Sequence, residues 1–103
     1  MTVELLWWDG CPSHPEALAD LERILREEGV EADVERVEVM DDDQARRERF
    51  PGSPTIRING QDIVPPAETE PYSLTCRVYR TRDGRVSPLP DPEDVREAVR
   101  SAA

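Results

Sequence analysis

Lysine is absent from this 103-residue chain. All 13 basic residues are arginine, which rules out chemistry built on a lysine Schiff base. Long apolar runs are missing as well: no stretch approaches the ~18–20 residues that span a bilayer. The N-terminus does not show a basic segment leading into an apolar one, the pattern of a secretory signal. Positive charge is scarce, with 23 acidic against 13 basic residues and a net charge of −10. Nucleic-acid phosphates need a basic face, and anionic membrane surfaces attract one. The expected setting is therefore cytoplasmic, with no nucleic-acid or membrane partner. Cysteine is limited to Cys11 and Cys76, and histidine to His14. In a reducing compartment two cysteines are more readily reactive thiols or catalytic partners than a permanent structural bridge. Without a Cys-x-x-Cys pair, zinc has at most Cys11, His14 and Cys76 for ligands. The acidic run Glu38–Asp43 lacks the glycine-punctuated loop of a calcium site and reads as a solvated helix start. No metal and no cofactor is expected.

What is present is enough for one domain spanning residues 1–103, with a single modest core. Charged residues make up 35% of the chain and apolar residues 37%, a balance that leans toward disorder if read alone. The apolar residues nevertheless fall in clear runs, which predicts a folded domain with a very polar surface.

Thr2–Trp8 (TVELLWW) has the β-branched, aromatic character of a buried strand. Asp9-Gly10 breaks it. Ser13 and Glu16 are spaced as a capping box, with Pro15 in the first turn. Ala17, Leu18, Leu21, Ile24 and Leu25 recur at helical spacing up to Gly29. Glu31–Val39 predicts a second strand, although Val34 is out of step with Val37 and Val39. Asp41–Phe50 predicts a short charged helix. Pro54–Ile58 alternates, Asn59-Gly60 signals a two-residue hairpin, and Gln61–Val64 returns as the partner. A proline-rich loop follows over 65–71. Leu74, Cys76 and Val78 alternate with Thr75, Arg77 and Tyr79 as in a strand, and Arg82-Asp83-Gly84 turns it toward Arg85–Ser87. Asp91 caps a last helix that carries Val95, Ala98, Val99 and Ala102 on one face. The order β-α-β-α-β-β, an extra hairpin and a final helix predicts an α/β fold. Its first two strands should be parallel neighbours, and helices should cover both faces of a mixed sheet.

Cys-Pro directly after the first strand, and Ser-Pro-Thr opening the third, resemble the thioredoxin/glutaredoxin superfamily. Trp7-Trp8-Asp9-Gly10-Cys11-Pro12 looks like its active-site loop, and Pro54–Gly60 is similar to the glutaredoxin strand that ends in Asn/Asp-Gly. The resemblance covers residues 2–64 and the final helix. It implies a thioredoxin-like mixed sheet and a cis peptide bond before Pro54. It also implies a substrate surface made by Trp8, Pro12, Ser53, Pro54 and Thr55. The chain is also similar to small bacterial thioredoxin-like proteins that combine Gly-Cys-Pro, Gly-Ser-Pro-Thr and Cys-Arg-Val/Leu-Tyr segments. Here those are Gly10–Pro12, Gly52–Thr55 and Cys76–Tyr79. That group is often labelled alkylmercury-lyase-like, which implies thiol chemistry. One departure matters: the dithiol families carry Cys-x-x-Cys, whereas this chain reads Cys11-Pro12-Ser13-His14. A dithiol cycle inside the motif is excluded.

Only the thiolate is nucleophilic. Cys11 sits just ahead of a helix start, whose free N–H groups and partial positive charge favour an anion. His14, if protonated, adds to that effect, while Asp9 opposes it. The competing reading of Cys11 is a buried cysteine that only packs. For Cys76 the alternatives are approach to Cys11 or burial beside Leu74 and Val78, whose strand parity it shares. His14 is either a tuning acid/base or an exposed helix-start residue. Trp7 and Trp8 point to opposite faces of the first strand, one into the core and the other into the core or the cysteine loop.

The function expected from these residues is thiol redox chemistry. Cys11 serves as nucleophile, His14 as activator, and Cys76 or an external thiol as resolver, exchanging with a protein or small-molecule thiol or disulfide. The alternatives are a soft-metal or organomercurial protein using Cys11 and Cys76, with Asp9 as a possible proton donor, and a non-catalytic binding module that keeps the fold alone. Oligomeric state has no sequence signal.

Overall fold

A computed structural model describes residues 1–103. Strand β1 (Val3–Trp7) lies at the centre of the fold, and helix α1 (His14–Glu27) carries the chain back across the sheet to β2 (Val34–Glu38). That crossover makes the two strands parallel, with Val3 opposite Val34 and Trp7 opposite Glu38. After a short helix α2 (Asp42–Glu48), β3 (Thr55–Ile58) pairs antiparallel on the other side of β1, with Leu6 opposite Thr55 and Val3 opposite Ile58. β4 (Gln61–Asp62) closes the hairpin. The Asn59-Gly60 turn takes the left-handed conformation at both positions, φ 53° and 82°, as a tight two-residue hairpin demands. The sheet order is β2-β1-β3-β4. A separate hairpin, β5 (Tyr79–Arg80) with β6 (Val86–Ser87), precedes the last helix, α3 (Pro92–Ala102). The result is a three-helix α/β fold with a mixed four-stranded sheet and an added hairpin. No helix is long and apolar enough to cross a membrane.

Side-chain alternation along β1 splits the core in two. On one face Val3 and Leu5 join Ile56 and Ile58 beneath α1 (Ala17, Leu21, Ile24, Leu25) and α3 (Val95, Val99). On the other face Leu6 packs with Val39, Ala45 and Phe50 under α2. The odd spacing of the β2 valines follows from this division: Val34 packs against the first cluster, whereas Val37 and Val39 belong to the second. α3 is tied to the end of α1 by ion pairs, Arg96 to Glu27 and Glu28 at 2.7 and 2.8 Å, and Arg100 to Glu28 at 2.6 Å.

Two local expectations are corrected. Ser13 occupies the N-cap position of α1 but makes no capping hydrogen bond, because its hydroxyl is engaged with Cys11. Residues Leu74–Tyr79 do not form a continuous strand. β4 covers only the Arg57–Ile58 end of β3, and this segment meets the residue just before β3. It makes a single parallel bridge there, between Cys76 and Ser53.

Candidate active site

β1 ends in a tight turn in which the Cys11 N–H donates to the Trp8 carbonyl at 3.1 Å. This turn places Cys11 just before the first turn of α1. Trp8 holds the neighbouring loop from the other side, its N–H donating to Ser53 Oγ at 3.1 Å. The Trp8 ring lies so close over Gly10 that a Cβ there would come within 2.4 Å of it, so the turn needs glycine at this position.

The Cys11 side chain points into the junction between the helix start and the loop preceding β3, and the residue is only 2% exposed. Its sulfur lies 3.3 Å from Ser13 Oγ and 3.5 Å from the Ser53 carbonyl. The Ser53–Pro54 peptide bond is cis. Ser53, Pro54 and Thr55 are all buried, and Thr55 Oγ1 donates to the Gly52 carbonyl at 2.7 Å.

Cys76 arrives from the opposite side. The Ser53 N–H donates to the Thr75 carbonyl at 2.8 Å, and the Arg77 N–H donates to the Ser53 carbonyl at 2.9 Å. These two bonds fix residue 76 directly over Ser53 and bring its thiol close enough to Cys11 for the two titrations to be linked. Burial pushes the Cys11 thiol up. The hydrogen bonds from Cys76, from the Ser13 side chain and backbone, and from Ser53 outweigh burial and leave it below the ordinary thiol range. Cys76 moves the opposite way, because keeping its proton for Cys11, some burial and the nearby Cys11 charge all raise it.

The segment that delivers Cys76 is anchored by residues that sequence reasoning did not single out. Arg77 is buried and forms an ion pair with Asp62 at 2.8 Å. Its guanidinium also donates to Thr55 Oγ1 at 3.2 Å and to the Val64 carbonyl, and it stacks 4.6 Å above the Tyr79 ring. The Tyr79 hydroxyl donates to the Pro54 carbonyl. Burial pushes Tyr79 far above its usual range, so it stays a neutral donor. Burial also raises the Asp62 carboxyl, and the Arg77 charge opposes that rise.

The alternation read from 74–79 is therefore inverted. Arg77 and Tyr79 face inward, whereas Cys76 is exposed and Val78 is 70% exposed. The expectation that Cys76 shares a core face with Leu74 and Val78 fails for this reason. The only available signal was the Cys-Arg-Val-Tyr segment itself, in which the arginine and tyrosine alternate with the cysteine.

His14 lies at the start of α1, beside the Cys11 turn. Its Nδ1 donates to the Cys11 carbonyl at 3.1 Å, and its ring stacks on Trp7 with centroids 4.3 Å apart. It braces the turn that carries Cys11. Both tryptophans are half-buried, so neither is a full core residue. Pro12 is exposed at the mouth of the loop, and Asp9 is exposed in the turn before it. No group of three or more His, Cys, Asp or Glu side chains converges as a metal site does. The donor set at this place is two thiols.

The site thus joins a shielded, anion-favouring sulfur to an exposed one, within a frame that positions both through the backbone of Ser53. Such a pair suits chemistry in which two thiols act together: reversible disulfide formation, or two-coordinate capture of a soft cation. No protein-family model matches the chain, nor does any curated protein or any solved structure.

Proposed function

We propose that this chain is a thioredoxin-like thiol-redox protein in which Cys11 and Cys76 interconvert between a dithiol and an intramolecular disulfide. The observation that carries the reading is the Ser53–Cys76 bridge, which sets Cys76 beside the residue whose carbonyl lies 3.5 Å from the Cys11 sulfur. The β-α-β-α-β-β order, the cysteine ahead of α1 and the cis Ser53–Pro54 bond opposite it support the thioredoxin-like assignment. Cys76 supplies the second sulfur that the Cys-x-x-Cys families place at the fourth residue of the motif.

In the oxidising direction the two thiols give up two electrons and two protons to a disulfide RSSR. The Cys11–Cys76 bond forms, the S–S bond of RSSR breaks, and two RSH are released. The new bond closes a loop of roughly 65 residues and stabilises the folded chain by on the order of 4 kcal/mol if it is unstrained.

The test is a thiol count on the native protein before and after glutathione disulfide, with peptide mapping under non-reducing conditions. The expected result is loss of both free thiols, a Cys11–Cys76 linked peptide, and recovery of both thiols with a dithiol reductant. Two thiols that remain titratable throughout would sink the proposal.

The same pair of facing sulfurs favours a second reading, a clamp for a soft cation such as Hg²⁺ or Cu⁺. One-to-one Hg²⁺ binding that is lost in either single Cys→Ser variant, together with inertness toward disulfides, would select it over the first.

A further inference from the structure

We infer that Cys76, and not Cys11, is the sulfur that exchanges with external thiols, and that its partner is a low-molecular-weight thiol or disulfide. This rests on the Cys11–Cys76 redox pair proposed above and assigns its two sulfurs different roles.

The assignment stands on two independent observations. The first is access. Cys11 is 2% exposed, enclosed by Ser13, Ser53 and Cys76, whereas Cys76 faces solvent. An attacking sulfur must approach in line with the bond it breaks, and only the Cys76 end of the pair is open to such an approach. The second is the state of the backbone beside the pair. A polypeptide partner gains much of its hold by adding its own main-chain hydrogen bonds to a free backbone edge. At this site the N–H and C=O of Ser53 are both engaged, by Thr75 and Arg77 of the chain's own segment. That segment is locked down by the buried Arg77–Asp62 pair and by the Tyr79 hydroxyl on the Pro54 carbonyl. The ladder position that an extended peptide needs is filled from within, and a small thiol does not need it.

The exchange then balances as follows. In the oxidised protein RS⁻ attacks Cys76 Sγ, an RS–S bond to Cys76 forms, the Cys11–Cys76 bond breaks, and Cys11 departs as a thiolate. The Ser13 hydroxyl, 3.3 Å away, is already in place to donate to it. A second RS⁻ attacks the sulfur of the R group, releasing RSSR and Cys76 thiolate, which takes a proton from solvent. In reverse, Cys76 attacks RSSR and its proton leaves with the first RS⁻. Cys11 thiolate then attacks Cys76 Sγ and expels the second RS⁻. Cys11 stays inside the protein throughout, as leaving group and internal nucleophile.

The experiment treats the full chain, its C11S variant and its C76S variant with glutathione disulfide, read by intact mass against time. C11S is expected to accumulate one glutathione adduct on Cys76. C76S is expected to react at Cys11 at least about tenfold more slowly, because the sulfur is shielded. The wild type should pass to the intramolecular disulfide without a lasting adduct. As a check that does not depend on either variant folding, brief iodoacetamide treatment of the reduced native wild type should label Cys76 before Cys11. Insulin serves as the polypeptide disulfide, and the wild type should react with it more slowly than with glutathione disulfide. Faster modification of Cys11 in C76S, first labelling at Cys11, or preference for insulin would each overturn the assignment while leaving the redox pair standing. A C11S adduct on Cys76 with no disulfide in the wild type would do the reverse: it would remove the redox reading and keep Cys76 as the accessible thiol.

Discussion

Ser53 and Cys76 are joined by a single parallel bridge, and that bridge decides where the Cys76 sulfur sits relative to Cys11. The Ser53 carbonyl accepts from the Arg77 N–H at 2.9 Å and also lies 3.5 Å from the Cys11 sulfur, so one carbonyl meets both the 75–77 segment and the Cys11 turn. The measurable consequences of this arrangement concern the titration of the pair, the anchor beneath it, and the backbone freedom that lets the two segments meet.

Because each thiol shifts the other, they titrate as a pair. Cys11 lies below the ordinary thiol range and Cys76 above it. Thiolate absorbance against pH should therefore show two steps, one on either side of the ordinary value near ~8.5. Ser13→Ala removes one hydrogen bond to Cys11, so the lower step should move up and the thiolate fraction at neutral pH should fall. Cys76→Ser should leave a single step. One step of double amplitude at the ordinary value in the wild type would contradict the pairing.

Arg77→Met should be the most damaging single change outside the core. It leaves the Asp62 carboxylate without its cation and removes one hydrogen bond to Thr55 Oγ1, and breaking a buried ion pair costs about 3–5 kcal/mol. Urea unfolding of the reduced protein should register that loss, and disulfide formation should slow as the segment carrying Cys76 loosens. Asp62→Asn introduced into the same background should recover part of the stability, since the uncompensated charge is gone. Additive losses in the double variant would argue that the two side chains act independently.

Gly52 and Gly60 both hold backbone conformations outside the range that suits other residues, φ 147° and 82°, yet only one of them supports the site. A Cβ at Gly52 would meet the Arg77 backbone at 3.0–3.1 Å, whereas one at Gly60 would meet nothing within 4 Å. Gly60→Ala should cost about 1 kcal/mol through backbone strain alone and leave thiol exchange unchanged. Gly52→Ala should push the 75–77 segment away, expose the Arg77 N–H to hydrogen exchange and slow disulfide formation. Equal effects of the two substitutions on the thiols would refute the role given to Gly52.

The α1–α3 contact should make stability fall in acid. Hydrogen bonds from Arg100 and Arg96 hold Glu28 below the usual carboxylate range, and Arg96 does the same for Glu27. A carboxylate depressed in the folded state stabilises above its unfolded value, and that stabilisation is lost as pH falls through the folded one. Glu28→Gln should therefore lower stability near neutral pH and flatten its decline in acid. Added salt should shrink the difference, because the pairs are near the surface. An acid profile identical to wild type would show that these ion pairs contribute nothing net.

Much of the architecture was written locally. Parallel β1 and β2 follow from a strand, a helix and a strand in succession, because a crossover connection allows no other pairing of neighbours. The β3–β4 hairpin follows from Asn59-Gly60, whose residues tolerate the left-handed turn it requires. The helices followed from their spacing and from Asp41, Ser13 and Asp91 at their starts, although the Ser13 hydroxyl turned to Cys11 instead of capping. The position of Cys11 ahead of α1 was legible in the same way.

What the sequence by itself determined, then, is the order of elements, the hairpin turn and the placement of one cysteine at a helix start, since each depends on residues adjacent along the chain. Only the tertiary structure decided that Cys76 meets Cys11, that Arg77 and Tyr79 turn inward, and that Ser53 is closed off by the chain's own segment. Those outcomes depend on partners far apart in sequence: Arg77 is held by Asp62 and Thr55, Tyr79 by Pro54, and residue 76 by the backbone of Ser53. Alternation along a short segment fixes which residues share a side. It takes a buried carboxylate and a pair of backbone hydrogen bonds from elsewhere to decide which side faces in.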